Sequence, residues 1–107
     1  MSHEQILQLD PIIHAPTRLA ILSILMNVES ANFTFLKESI GTTDGNLSTH
    51  LTKLEEAGYI KIKKTFQGKK PQTSCAITKK GRTAFEKYFG QLEQIIQMQK
   101  DKTEQKA

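Results

Sequence analysis

The chain changes its hydrophobic period at Gly58. Before that residue Leu47, Leu51, Leu54 and Ala57 fall four, three and three apart, which lines one face of an α-helix. After it, in YIKIKKTF, Ile60 and Ile62 alternate with Lys61 and Lys63, the pattern of a half-buried strand. QGKKPQT punctuates the run with Gly68 and Pro71, and SCAIT resumes the alternation with Cys75 and Ile77 on one side. An amphipathic helix must therefore pass directly into a β-hairpin, whose tip, Gln67 to Gln72, reads as a basic loop. With 107 residues there is room for one domain around that junction and not for two.

The helix before Gly58 is poorly made for a surface helix. Its outer face carries Gly45, Asn46, Ser48, Thr49 and Thr52 where Lys, Glu, Gln or Ala would stabilise it. Each is worse than Ala by roughly 0.5–1 kcal/mol, so the five together forgo about 2.5–5 kcal/mol. That is a large fraction of what holds a small domain together. A requirement other than stability has selected those side chains.

The flanking segments complete the order of elements. Residues 3–13 carry Ile6, Leu7, Leu9, Ile12 and Ile13 around Pro11, and read as a short helix and a break. In HAPTRLAILSILMNVES, Pro16 suits the first turn of a helix that is apolar nearly all round, the buried spine of the domain. A polar connector follows, with a very short strand near Phe33. Thr34 is placed to cap a helix through Ile40, which Gly41 ends. Thr43 or Asp44 then caps the helix already described. Two helices joined by a tight glycine-containing turn, the second amphipathic, make a helix-turn-helix. After the hairpin Thr78 caps a last helix, along which Phe85, Tyr88, Phe89, Leu92, Ile95 and Ile96 repeat at three and four. The final stretch, QMQKDKTEQKA, has no apolar face, and residues 97–107 are expected to be a disordered polar tail to a domain spanning 1–96.

Charge is distributed unevenly along this order. The net charge is +4, and from Ala57 to Phe85 there are eight basic residues and no acid. Before Ala57, acids outnumber bases seven to three. A basic block beside an acidic one points to a polyanionic partner, usually nucleic acid. No run of about 18 apolar residues exists to span a membrane, and MSHEQILQLD has none of the pattern of a secretion signal, so a cytoplasmic protein is expected. One cysteine, Cys75, excludes an internal disulfide and a cysteine-based zinc cluster. Its place in the alternation makes it a small core residue. His3, His14 and His50 are scattered, with no carboxylate pair at ligand spacing. No nucleophile stands with a base, and no glycine-rich loop precedes a helix, so neither an enzyme nor a cofactor is expected.

Helix, helix-turn-helix, basic hairpin, helix is the order of a winged helix-turn-helix, a mainly α fold with a small β-hairpin. Three stretches resemble the small winged-helix transcriptional regulators of the MarR/ArsR type: PTRLAILSIL their opening core helix, GNLSTHLTKLEEAGYI their recognition helix running into the first wing strand, and QGKKPQTSCAITKKGRTAFEKY their wing and following helix. The resemblance covers about residues 12–96 and lies in the combination, not in any one motif. The cysteine pair of metal-sensing ArsR relatives is absent, so a metal site is not expected.

The resemblance implies a sequence-specific regulator of double-stranded DNA, a repressor, since no separate activation domain is visible. Asp44, Gly45, Asn46, Ser48, Thr49, Thr52 and Lys53 would lie at the major groove, with short side chains where the helix nears the duplex and donors and acceptors where it reads base edges. Lys69 and Lys70 at the hairpin tip, with Lys63 and Lys64 on its first strand, would meet phosphates or the minor groove. Relatives pair through their terminal helices. Ile6, Leu7, Leu9, Ile12, Ile13, Phe85, Tyr88, Phe89, Leu92, Ile95 and Ile96 would then form a homodimer interface. A small-molecule effector is compatible with this but demanded by no residue. Two other readings fit the same sequence: a winged helix used as a protein-interaction module, and a nucleic-acid binder without sequence preference.

Overall fold

Helix α2 (Pro16–Leu25) is the centre of the molecule, with Ile21, Leu22 and Leu25 fully buried in the core. The computed structural model describes residues 4–106, with side chains to Asp101. A four-residue helix α1 (Glu4–Leu7) precedes α2. After α2 come strand β1 (Ala31–Asn32), α3 (Phe33–Ile40) and α4 (Asp44–Glu56). Strands β2 (Ile60–Gln67) and β3 (Lys70–Ile77) form the hairpin, and α5 (Lys79–Lys106) closes the chain. The mainly helical winged helix-turn-helix expected from the sequence is the fold observed.

The sheet is antiparallel with order β1-β3-β2. Ala31 pairs with Cys75, and the hairpin ladder runs from Ile60 opposite Ile77 to Gln67 opposite Lys70. Cys75, 1% exposed, is a core residue as expected. Burial pushes its thiol up to about 11, with the nearby Glu55 carboxylate adding to the effect. The ladder also corrects the expected tip. Gln67 and Lys70 pair, so the loop shrinks to Gly68 and Lys69 instead of spanning Gln67 to Gln72. Pro71 tolerates its strand position because it lies near the tip, beyond the buried part of the sheet.

Local chemistry fixes the helix ends. Asn32, not Thr34, caps α3: its side chain accepts from the Phe35 N–H at 2.7 Å. Thr34 lies inside the helix, two residues past the cap position. Thr43 caps α4, accepting from Asn46 N–H at 3.2 Å. At the other end of α4, Gly58 N–H bonds Glu55 O and Tyr59 N–H bonds Leu54 O, a Schellman closure that requires the positive φ of +80° at Gly58. This turn joins α4 rigidly to β2. Thr78 Oγ1 donates to Gly58 O and accepts from Gly81 N–H, so α5 starts against the same junction. Gly81 packs there so closely that a Cβ would lie 2.1 Å from Tyr59 O, and no larger residue fits.

Helix α5 does not stop near residue 96. The expected disordered tail continues as helix to Lys106. Gln, Glu, Lys and Met are strong helix formers, and Gln97 Nε2 donates to Asp101 Oδ1 at 3.0 Å along the exposed surface. The absence of an apolar face does not prevent this, because the backbone hydrogen bonds of a helix are internal to it. The Cα atoms span 63 × 25 × 22 Å, the long dimension expected when a 28-residue helix extends past the core.

Candidate nucleic-acid interface

Leu47, Leu51 and Leu54 point inward from α4, at 0%, 3% and 0% exposure, and turn its weak helix formers to solvent. Asp44, Gly45, Asn46, Ser48, Thr49, Thr52 and Lys53 are all exposed, and so are Lys63, Lys64, Lys69 and Lys70 on the hairpin. All eleven residues expected at the duplex therefore lie at the surface of the helix-turn-helix and hairpin.

Hydrogen bonds within α4 restrict what that face offers. Thr49 Oγ1 donates to Gly45 O and Thr52 Oγ1 to Ser48 O, each at 2.9 Å. Both hydroxyl protons are thus spent on the helix backbone, leaving oxygen lone pairs and methyl groups for a partner. Such a surface accepts hydrogen bonds and meets apolar groups such as the thymine methyl. Asn46 Nδ2 donates to Thr42 Oγ1 at 2.6 Å, which uses one of its two amide protons. Asp44 would repel phosphate, but Lys37 of α3 reaches it at 2.8 Å and balances its charge. Sequence reasoning missed Lys37, which faces α4 across the turn of the helix-turn-helix.

The hairpin divides its lysines between two faces. Lys61, Lys63, Gln67 and, across the ladder, Lys70 share the outer face. Ile60, Ile62, Lys64 and Phe66 share the other, with Cys75, Thr73 and Pro71 opposite. The strands are eight residues each, and only the part near Ile60, Ile62 and Cys75 is covered by the core. The remainder extends beyond the core as a basic arm that follows α4 in the chain through the turn at Gly58.

A polar network behind α4 was also missed. Arg18, 9% exposed, lies in α2 among the core residues. Its Nε donates to Ile12 O, Nη2 to Pro11 O at 3.3 Å and Nη1 to His50 Nδ1 at 2.9 Å. Guanidinium nitrogens only donate, so His50 accepts as the neutral tautomer with its proton on Nε2. Burial holds His50 below the usual histidine range, and the positive charges of Arg18 and Lys53 lower it further. Asp10 caps the same segment, accepting from Ile12 N–H through Oδ1 and from the Tyr59 hydroxyl through Oδ2. Burial and that hydrogen bond push Tyr59 up to about 12. His14 Nδ1 lies 2.8 Å from Tyr88 Oη on α5. Residues 10–14 thereby tie α4, the base of the hairpin and α5 together. The available signals were a lone cation inside the apolar run of α2, and a histidine at four residues before Leu54 and three after Leu47.

The expected dimer surface needs correcting. Leu9, Ile13, Phe85 and Tyr88 are 5%, 0%, 9% and 2% exposed within one chain. They fill the core beneath residues 9–13 and the first turns of α5, so they are not available to a partner. Ile12, Leu92 and Ile95 are half-buried against that core. Ile6, Leu7, Phe89 and Ile96 remain exposed on α1 and α5, which pack on each other. Among the described residues there is no group of three or more side chains able to hold a metal ion, and no helix long and apolar enough to cross a membrane.

This geometry matches known proteins. Residues 17–96 fit the family model of a winged helix DNA-binding domain. The chain is 40% identical over 84 residues to the uncharacterized protein MJ0432 of Methanocaldococcus jannaschii, covering 78% of this chain and 91% of that protein. Its structure resembles the transcriptional regulator homologue protein from Pyrococcus horikoshii OT3, with a TM-score of 0.82 at 27% identity over 88% of this chain and 95% of that one. It also resembles an ArsR family transcriptional regulator, with a TM-score of 0.56 at 25% identity over 91% and 95% of the two chains.

Proposed function

The chain belongs to the winged helix DNA-binding domain family, and on that premise we propose that it is a homodimeric repressor recognising a specific sequence of double-stranded DNA. Helix α4 enters the major groove, with Asp44, Gly45, Asn46, Ser48, Thr49, Thr52 and Lys53 at the bases and nearby phosphates. Lys63, Lys64, Lys69 and Lys70 of the hairpin hold the backbone alongside. One observation carries the reading: the side chains that weaken α4 as a helix are the ones it exposes, while its leucines are buried. The functional unit is residues 1–96, and the polar end of α5 is an appendage to it.

The dimer forms through Ile6, Leu7, Phe89 and Ile96, with Ile12, Leu92 and Ile95 at the margin. Two recognition helices would then sit about one DNA turn, roughly 34 Å, apart and read a palindromic site.

Selection of bound duplexes from a random pool tests this. A palindromic consensus is expected. If the dimer neutralises about eight phosphates, log affinity falls against log salt with a slope near −7. Enrichment of no sequence, with the salt slope retained, would leave a binder without sequence preference. Binding to no duplex at all would make the fold an interaction module and overturn the proposal.

A further inference from the structure

Phe66 is 72% exposed, near the tip of the basic arm. Its neighbours on that face are Lys64, two residues earlier, and Pro71, directly opposite. The same face carries Ile60 and Ile62 at its buried end. A face that is apolar under the core would be expected to turn polar once it leaves the core. Here it turns to Lys64 and then becomes apolar again at Phe66 and Pro71. Apolar side chains flanked by lysines fit a partner that is anionic at its rim and apolar within. A nucleic-acid minor groove has this character, with phosphates along the edges and deoxyribose carbons on the walls. The lysines of the arm supply the matching charge, and the arm is continuous with α4.

We propose that Phe66, backed by Pro71, is an apolar wedge by which the arm enters the minor groove flanking the site read by α4, so that it selects for easily deformed steps there. The inference rests on the DNA-binding reading above. Lys64, Lys69 and Lys70 attract any duplex alike, whereas an aromatic ring pressed against sugars and base edges favours sequences that widen or kink readily, such as TA steps. The arm therefore adds sequence preference at positions no side chain reads by hydrogen bonding.

The test uses the full chain and a duplex about three helical turns long, selected from a random pool, with 2-aminopurine at a flanking TA step. Phe66→Thr keeps a strong strand former in the hairpin, and its melting temperature checks that the fold is intact. Affinity should drop about tenfold, as expected for the loss of a half-buried aromatic contact. The slope against salt should not change, because no charge is removed, and the rise in 2-aminopurine fluorescence expected with wild type should disappear. Lys69→Ala should instead flatten the slope by about one unit. If wild type binds the duplex and Phe66→Thr binds equally well with the same fluorescence, the wedge is refuted while DNA binding stands. If Phe66→Thr changes the sedimentation of the free protein and not its affinity, the ring belongs to a protein contact and the wedge is again refuted. Failure of wild type to bind any duplex would instead remove the reading of α4.

Discussion

Arg18 ties α2 to α4 through an acceptor that titrates. Its guanidinium joins two backbone carbonyls of residues 11–12 to His50, and it has a histidine where a buried cation usually has a carboxylate. Neutral His50 accepts that hydrogen bond; protonated His50 cannot, and it adds a second positive charge beside the first. The folded protein therefore holds the His50 proton more weakly than the unfolded chain does. The contribution to stability is complete above the unfolded value of about 6.5 and is lost as pH falls from there toward the lower folded value. Thermal melts between pH 7.5 and pH 5 should show stability declining below about 6.5. His50→Gln, which offers an amide oxygen that does not titrate, should remove much of that decline. Equal pH dependence in both proteins would show that Arg18 and His50 do not communicate.

At the scale of elements, α4 trades helix stability for its outer surface. Gly45 tests the trade without steric complication, since a Cβ there meets nothing within 4 Å. Gly45→Ala should raise stability by about 0.5–1 kcal/mol in denaturant titrations. If α4 docks as proposed, the same change should weaken binding to a selected duplex several-fold, because the added methyl would stand between helix and duplex. Higher stability with unchanged affinity would mean that Gly45 faces no partner. The elements were legible wherever the period was clean. The leucine face of α4, the turn at Gly58 and the alternation of Ile60 and Ile62 are local patterns, and each appears as read. Boundaries set by competition between neighbours were harder to read. Asn32 displaced Thr34 as a cap because it stands two residues earlier with an equally good acceptor. The hairpin tip contracted because backbone pairing of Gln67 with Lys70 outweighed the turn-forming sequence. The Arg18 network was hidden because it joins α2 to a segment six and seven residues away and to another at thirty-two, separations that no periodicity reports.

The whole molecule depends on which apolar residues the single chain covers. From sequence, the stripe on α5 and the residues of 6–13 formed one large apolar surface. Folding divides it. Leu9, Ile13, Phe85 and Tyr88 serve the core, and Ile6, Leu7, Phe89 and Ile96 stay outside. The division was not legible because sequence spacing reports which residues share a helix face, not whether the opposing surface comes from the same chain. Phe89→Lys combined with Ile96→Lys should convert a dimer to a monomer in sedimentation equilibrium with little loss of thermal stability. A parallel change in Phe85 should unfold the chain instead. A wild-type protein that sediments as a monomer would rule out the paired arrangement of recognition helices.

Asn46 offers the sharpest test of whether the outer face of α4 reads base edges. Its amide is exposed and retains its carbonyl oxygen and one N–H beyond the bond to Thr42. Binding of Asn46→Ala should be measured on a duplex selected from a random pool and on the same duplex with its bases scrambled. A loss of about 1–3 kcal/mol is expected on the selected duplex and none on the scrambled one. An equal loss on both, or no loss on either, would contradict base reading by α4.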